Sequence, residues 1–216
     1  MKEKQYILFD LDGTLTDSAQ GITNSVAYSL DKFGIKEEPA NLTKFVGPPL
    51  LESYAKYYGF SPEQCREALE IYREYYATKG IFENEVYEGI PEMLEQLKNA
   101  GKEIILATSK PEDYAKIILK HFELDQFFLY IAGSDMAETR VQKKDVIAYA
   151  LESCGITDKE KVIMVGDREH DILGAKAVGL DSIGVLYGYG DYEELSKAGA
   201  DHIVEKPQHI LQLLIC

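Results

Sequence analysis

Cysteine is scarce in this chain: three residues in 216, at positions 65, 154 and 216, odd in number, far apart and not at metal-ligand spacing. That argues against a disulfide framework and against a thiolate metal site. The three read as reduced thiols, which sets the expected location as cytoplasmic. Positive charge is also in the minority, with 23 Lys and Arg against 37 Asp and Glu, a net charge of −14 and no basic cluster. Such a surface offers no footprint for a nucleic-acid polymer or an anionic membrane, so neither is expected as a partner. A small anion could still be held by local cations. Long apolar runs are missing too, and nothing approaches the roughly 20 residues of a membrane helix. The opening residues MKEKQ lead directly into a strand-like run, so no signal peptide is expected. No internal repeat or low-complexity segment is visible.

What is present is a soluble globular composition, 45% hydrophobic and 28% charged. Apolar runs rich in β-branched residues recur at Tyr6–Phe9, Glu103–Ala107, Phe127–Ile131, Lys161–Val165 and Asp181–Val185. Helical patterns lie between the later ones, such as 91–100 with Met93, Leu94 and Leu97 on one face and Gly101 as the stop. Continuous apolar strands alternating with helices predict an α/β fold with a doubly wound parallel sheet, whose ligands sit at the carboxyl ends of the strands. Residues 17–86 break the alternation. They hold no strand-like run, but Ile22, Val26, Leu30 and Phe33 fall on one helix face. Ser61-Pro62-Glu63-Gln64 has the form of a capping box ahead of Cys65, Leu69, Tyr72 and Tyr76. A helical insert after the first strand reads as a lid or cap domain over 17–86, with a core domain of 1–16 and 87–216. The alternative is a set of ordinary crossover helices, which would need only about a dozen residues.

The stretch FDLDGTLTDS, Phe9–Ser18, crowds three aspartates behind the first strand. Like charges at a buried strand end repel and lose hydration, so something must neutralise them. Polar residues at other strand ends supply candidates: Thr108, Ser109 and Lys110 after the second, Lys143 and Lys144 opening a helix after the third, and Gly166, Asp167 and Asp171 after the fourth. Each alone has a plain structural reading, since Thr108, Ser109 or Asp167 could cap the next helix and a helical lysine is usually solvated. Together they suit Mg²⁺, which takes hard oxygen ligands and a substrate phosphate, with Asp10 and Asp167 as its carboxylates. Asp10 is then placed as the nucleophile forming an aspartyl-phosphate. Asp12 stands as general acid and base, and Thr108 with Lys143 as donors to the phosphoryl oxygens.

These motifs resemble the haloacid dehalogenase superfamily. Asp10-Leu11-Asp12-Gly13-Thr14-Leu15 matches its DxDGT(L/V) signature, Thr108 its second motif, and Gly166-Asp167-Arg168-Glu169-His170-Asp171 its GDxxxD motif. The lysine motif is the weak match: Gln142-Lys143-Lys144-Asp145 lacks the usual prolines, so Lys143 is favoured and Lys144 stays open. The helical insert is similar to the family's cap. The resemblance implies a magnesium-dependent phosphatase with catalytic Asp10, Asp12, Thr108 and Lys143. Asp10, Asp12, Asp167 and Asp171 are the metal candidates, and Ser109, Lys110, Arg168 and the turn at Gly47 and Pro48 the substrate contacts. Within the superfamily FVGPPLLESY, ATSKPEDYA and IGVLYGYGDYEEL are similar to the phosphoglycolate-phosphatase-like and 5′-nucleotidase-like branch.

The expected partner is a small phosphorylated metabolite, with a nucleoside 5′-monophosphate ahead of phosphoglycolate, acted on by a monomer or homodimer. A sugar-phosphate mutase of the β-phosphoglucomutase kind shares the same residues and remains an alternative. A phospho-receiver or binding module fits less well, because the motif order and the large insert differ. His121 and His209 read as surface or partly buried residues, His170 as open between bystander and indirect role. Asp17-Ser18 reads as the cap of the next helix. The tyrosines of the insert read mostly as packing, with Tyr54 on the helix after the Gly-Pro-Pro turn as one that could face a substrate.

Overall fold

A computed structural model describes residues 1–136 and 139–215. Cys65 and Cys154 are free thiols, and the reading of Cys216 lies outside the described residues. Contacts divide the chain into two units, residues 1–16 with 86–216 and residues 17–85.

The strands in chain order are β1 (Tyr6–Phe9), β2 (Thr16–Asp17), β3 (Glu85–Val86), β4 (Glu103–Pro111), β5 (Phe128–Ser134), β6 (Val162–Gly166), β7 (Asp181–Val185) and β8 (His202–Val204). Six of them form one sheet in the order β5-β4-β1-β6-β7-β8, all parallel, while β2 pairs with β3. Helices α1 (Ala19–Lys32), α2 (Leu50–Tyr58) and α3 (Pro62–Tyr76) belong to the smaller unit. The larger unit has α4 (Ile90–Asn99), α5 (Glu112–His121), α6 (Lys143–Ser153), α7 (Glu169–Val178), α8 (Tyr192–Ala198) and α9 (Pro207–Leu214). The fold of the larger unit is thus the α/β doubly wound sheet.

β1 reads as an unbroken apolar run because it lies between β4 and β6: Ile7, Leu8 and Phe9 are all fully buried. Leu8 stands in register with Ile105 and Met164, and on that face they pack with Val146, Ile147 and Ala150 of α6 and Ala175 of α7. Each of these side chains larger than alanine contributes roughly 1.5–3 kcal/mol by leaving water. Strand order reverses at β1, with β4 on one side and the later β6 on the other. This is the topological switch point where open sheets bind ligands.

Two strands differ from the sequence expectation. β4 continues through Pro111, its pairing to β5 carried on past register shifts. β8 is too short to show a period, and its pairing to β7, with Ile183 opposite His202, is what makes it a strand.

The smaller unit is held differently. Ser61 accepts from the Gln64 backbone at 3.3 Å while the Gln64 side chain accepts from the Ser61 N–H at 2.9 Å, so α3 starts with a complete capping box. At α1 it is Asp17, not Ser18, whose side chain accepts from the Ala19 N–H, at 3.1 Å. Aromatic rings fill the interior. Tyr54 lies 5.2 Å from Phe45 and stacks on Phe60 at 5.8 Å. Its side chain is fully buried, which corrects the expectation that α2 presents it to a substrate.

Candidate active site

The carboxyl end of the sheet gathers its charges by simple means. Hydrogen bonding between β1 and β6 runs one residue beyond the strand, from the Asp10 N–H to the Val165 carbonyl at 3.0 Å, and this fixes Asp10 beside Gly166-Asp167. α6 starts at Lys143, and its first residue turns inward: Lys143 is buried, whereas Lys144 is exposed. The Lys143 ammonium bonds the Asp10 carboxylate at 2.7 Å, the Asp171 carboxylate at 2.7 Å and the Ala107 carbonyl at 3.0 Å. One lysine therefore ties the end of β1, the middle of β4 and the first turn of α7.

Oxygens of Asp10, Asp167 and Asp171 all lie within 4.8 Å of one another. Burial, then the charges of Asp171 and Asp10, push the Asp167 carboxyl well above the usual range. Burial also raises Asp171; Lys143 pulls it back in part and Asp10 pushes it up further. Lys143 is raised in turn, because the two carboxylates overcome the burial that would lower it. A single ammonium thus leaves the trio under-neutralised. Three hard oxygen donors in that condition fit a divalent cation.

Asp12 does not join them. After Asp10 the chain curls tightly: the Leu11 carbonyl accepts from the N–H groups of Thr14, Leu15 and Thr16 at 3.2, 2.9 and 3.0 Å. Gly13 takes a left-handed φ of +83°, and a Cβ there would collide with the Asp167 carboxylate. The turn carries the Asp12 carboxylate away from the trio and onto Lys110, at 2.9 Å. Its carboxylate thus stands outside the trio, and its place among the metal candidates stays a proposal.

The remaining candidates divide. Thr108 is buried in the carboxyl-terminal half of β4, and its hydroxyl accepts from the Lys110 N–H at 3.2 Å. β4 runs on past it, so it caps no helix. Ser109 beside it is half-buried. Arg168 is turned outward to Glu194, Nε to Oε1 at 2.8 Å, and Glu194 also takes the Glu169 N–H at 2.8 Å. Gly47, exposed with φ +101°, and half-buried Pro48 shape the turn before α2 in the smaller unit.

Sequence reasoning gave no role to the loop after β7. Its Tyr189 N–H donates to Asp167 Oδ2 at 2.8 Å, and the Thr14 hydroxyl donates to Oδ1 at 3.2 Å. Asp167 is therefore spoken for on both oxygens and is no helix cap. The α7 start is served by Asp171, which accepts from the Arg168 N–H at 3.1 Å. The spacing Tyr187-Gly188-Tyr189-Gly190 just past a strand was the available signal.

Known proteins are similar to this chain in sequence and in fold. A family model described as haloacid dehalogenase-like hydrolase matches residues 7–185. A 5′-nucleotidase of Pseudomonas aeruginosa is 46% identical over 190 residues, 88% of this chain and 86% of that protein. The tyrosine-protein kinase PtkA of Mycobacterium tuberculosis is 41% identical over 194 residues, 89% of this chain but 66% of its own length. A crystal structure from Clostridium acetobutylicum, described as a predicted phosphatase, superposes with a TM-score of 0.93 at 50% identity over 96% of both chains. A match spanning most of the chain, on a sheet whose strand ends bring Asp10, Lys143, Asp167 and Asp171 together, establishes that this chain belongs to the haloacid dehalogenase-like hydrolases.

Proposed function

We propose that this hydrolase is a phosphatase that cleaves a small phosphate monoester through an aspartyl-phosphate on Asp10. The observation that carries the reading is the trio Asp10, Asp167 and Asp171 closed by buried Lys143. Asp10 Oδ1 is ion-paired with Lys143, so attack on phosphorus falls to Oδ2. The new O–P bond forms as the bond to the leaving alkoxide breaks, and Asp12 gives that alkoxide a proton. Water then attacks the phosphorus of the acyl phosphate, Asp12 takes the water's proton, and inorganic phosphate leaves with the Asp10 carboxylate restored. Thr108 and Lys143 offer a hydroxyl and an ammonium to the phosphoryl oxygens. Lys110 is a cation that a substrate anion could share with Asp12.

Mg²⁺ is the cofactor that fits, held by Asp10 and Asp167 with Asp171 adjacent, and it would offset charge on the transferring phosphoryl group. The insert, residues 17–85, is assigned as the cap that selects substrates, because it leaves the sheet directly after the nucleophile loop. The 46% identity to a protein named 5′-nucleotidase, over most of both chains, favours a nucleoside 5′-monophosphate as substrate.

A kcat/KM panel of nucleoside monophosphates, phosphoglycolate, sugar phosphates and pyrophosphate tests the reading, run with EDTA and then with Mg²⁺ restored. A nucleoside monophosphate is expected to lead. A lead by phosphoglycolate of ~10-fold, about 1.4 kcal/mol in transition-state binding, would overturn the substrate assignment. Undiminished turnover in EDTA would overturn the metal.

A further inference from the structure

Leu186–Gly190, the loop after β7, carries none of the groups assigned to the chemistry, yet it closes on the nucleophile loop and on Asp167. The Tyr187 hydroxyl donates to the Thr14 carbonyl at 3.1 Å. Thr14 in turn donates its own hydroxyl to Asp167 Oδ1, and the Tyr189 N–H occupies Oδ2. Gly188 lies so close that a Cβ would strike the Gly13 carbonyl oxygen and the Asp167 side chain, and one on Gly190 would strike the Asp167 carbonyl. The loop is pinned at both ends. The Leu186 N–H bonds the Val204 carbonyl at 2.9 Å, and Asp191 caps α8 by accepting from the Glu194 N–H at 2.8 Å. Tyr187 meets Tyr87 edge-on with ring centroids 5.3 Å apart, and the Tyr87 N–H holds the Leu15 carbonyl at 3.1 Å.

A carboxylate free to rotate must lose that freedom to hold a cation, whereas one donor on each oxygen fixes its plane beforehand. Asp167 has one donor on each oxygen, and the hydroxyl on Oδ1 belongs to a residue whose backbone is itself held by Tyr187. We propose that Tyr187 is a positioning residue: acting through Thr14, it sets the plane of the Asp167 carboxylate and thereby the affinity of the site for a divalent cation. The proposal rests on the reading of Asp167 as a cation ligand. If Tyr187 served only to fill space, its ring would suffice and its hydroxyl would be dispensable.

Binding of Mn²⁺ alone, followed through the EPR signal of the free ion with no substrate present, separates the two roles. Y187F keeps the ring and removes the donor, and the expected result is Mn²⁺ binding weaker by about 10-fold, the lower end for losing a partner of a metal ligand. T14V breaks the same chain at its next link and should weaken binding at least as much, while T14S, which keeps the hydroxyl, should restore it. The double variant should bind no worse than T14V, since both changes act through one bond. Y192F, at an exposed tyrosine on α8, is the control and should match wild type. T14V and T14S also supply the answer from the other end should Y187F prove poorly folded by circular dichroism. Wild-type affinity in folded Y187F, or in both Thr14 variants, overturns the positioning role. A wild-type protein that takes up no Mn²⁺ overturns the cation reading itself, which is a separate failure.

Discussion

The strand-end cluster of the larger unit and the aromatic interior of the smaller one bury their residues for opposite reasons. At the strand ends four carboxylates share two buried ammonium groups: Lys143 serves Asp10 and Asp171, Lys110 serves Asp12, and Asp167 relies on neutral donors. Such pairs gain little over apolar packing and are costly to break, so their presence is better explained by chemistry than by stability. In the smaller unit Phe45 meets Tyr54 edge-on, Tyr54 stacks on Phe60 and Tyr72 stacks on Tyr76, an arrangement that stabilises through area and shape. The first region should respond to changes of charge at constant shape, the second to changes of shape at constant charge.

Asp10→Asn tests this most severely, because it preserves volume and removes the nucleophile. Turnover should be abolished with the fold intact, and borohydride trapping of the wild-type intermediate should place the label on Asp10. A label elsewhere refutes the assignment.

Lys143→Ala comes next. It leaves two buried carboxylates without their cation, so stability should fall by roughly 3–5 kcal/mol along with activity. Lys144→Ala, on the exposed side of the same helix, should stay within about ±0.5 kcal/mol. Chemical denaturation of the two variants decides the matter, and a larger loss for Lys144→Ala would reverse the roles.

In the smaller unit Tyr54→Ala should cost about 3–5 kcal/mol by opening a cavity, as for other large buried aromatics. Tyr54→Phe, which keeps the ring, should cost no more than about 1 kcal/mol. A strong loss in the Phe variant, measured by the same denaturation, would show that the hydroxyl matters more than the ring.

The mildest test is pH in the presence of EDTA. Asp167 and Asp171 are raised in the folded state, so both states hold these protons below the ordinary carboxylate pKa, and the folded state alone keeps them as pH rises. Their contribution to stability is therefore complete in acid and is lost as pH rises through the folded values. The melting temperature should decline over that window, and Asp167→Asn should make the decline shallower. A slope in Asp167→Asn equal to that of wild type would show that Asp167 does not titrate there.

The switch from strand to helix patterns and the ordered strand-end motifs were legible in sequence, because unbroken apolar runs, the period of 3.6 and the DxDGT and GDxxxD spacings are local. The β1, β6 and β7 segments appear within a residue of where apolar runs placed them, and the capping box at Ser61 formed as its spelling implies. Position relative to distant chain was not legible. β8 exists only as a partner of β7, and Asp12, two residues from Asp10, ends on Lys110 because the turn at Gly13 redirects it. Tyr54 packs inward because Phe45 and Phe60 surround it, which helical spacing alone does not reveal. Sequence by itself determined which residues could carry charge at the strand ends and the family they belong to. Tertiary structure alone decided which charges meet: Lys143 and not Lys144 between two carboxylates, and an overlooked tyrosine loop holding Asp167. The physical reason is that ion pairs and hydrogen bonds act over about 3 Å between atoms that the chain can set far apart, by 173 residues for Thr14 and Tyr187.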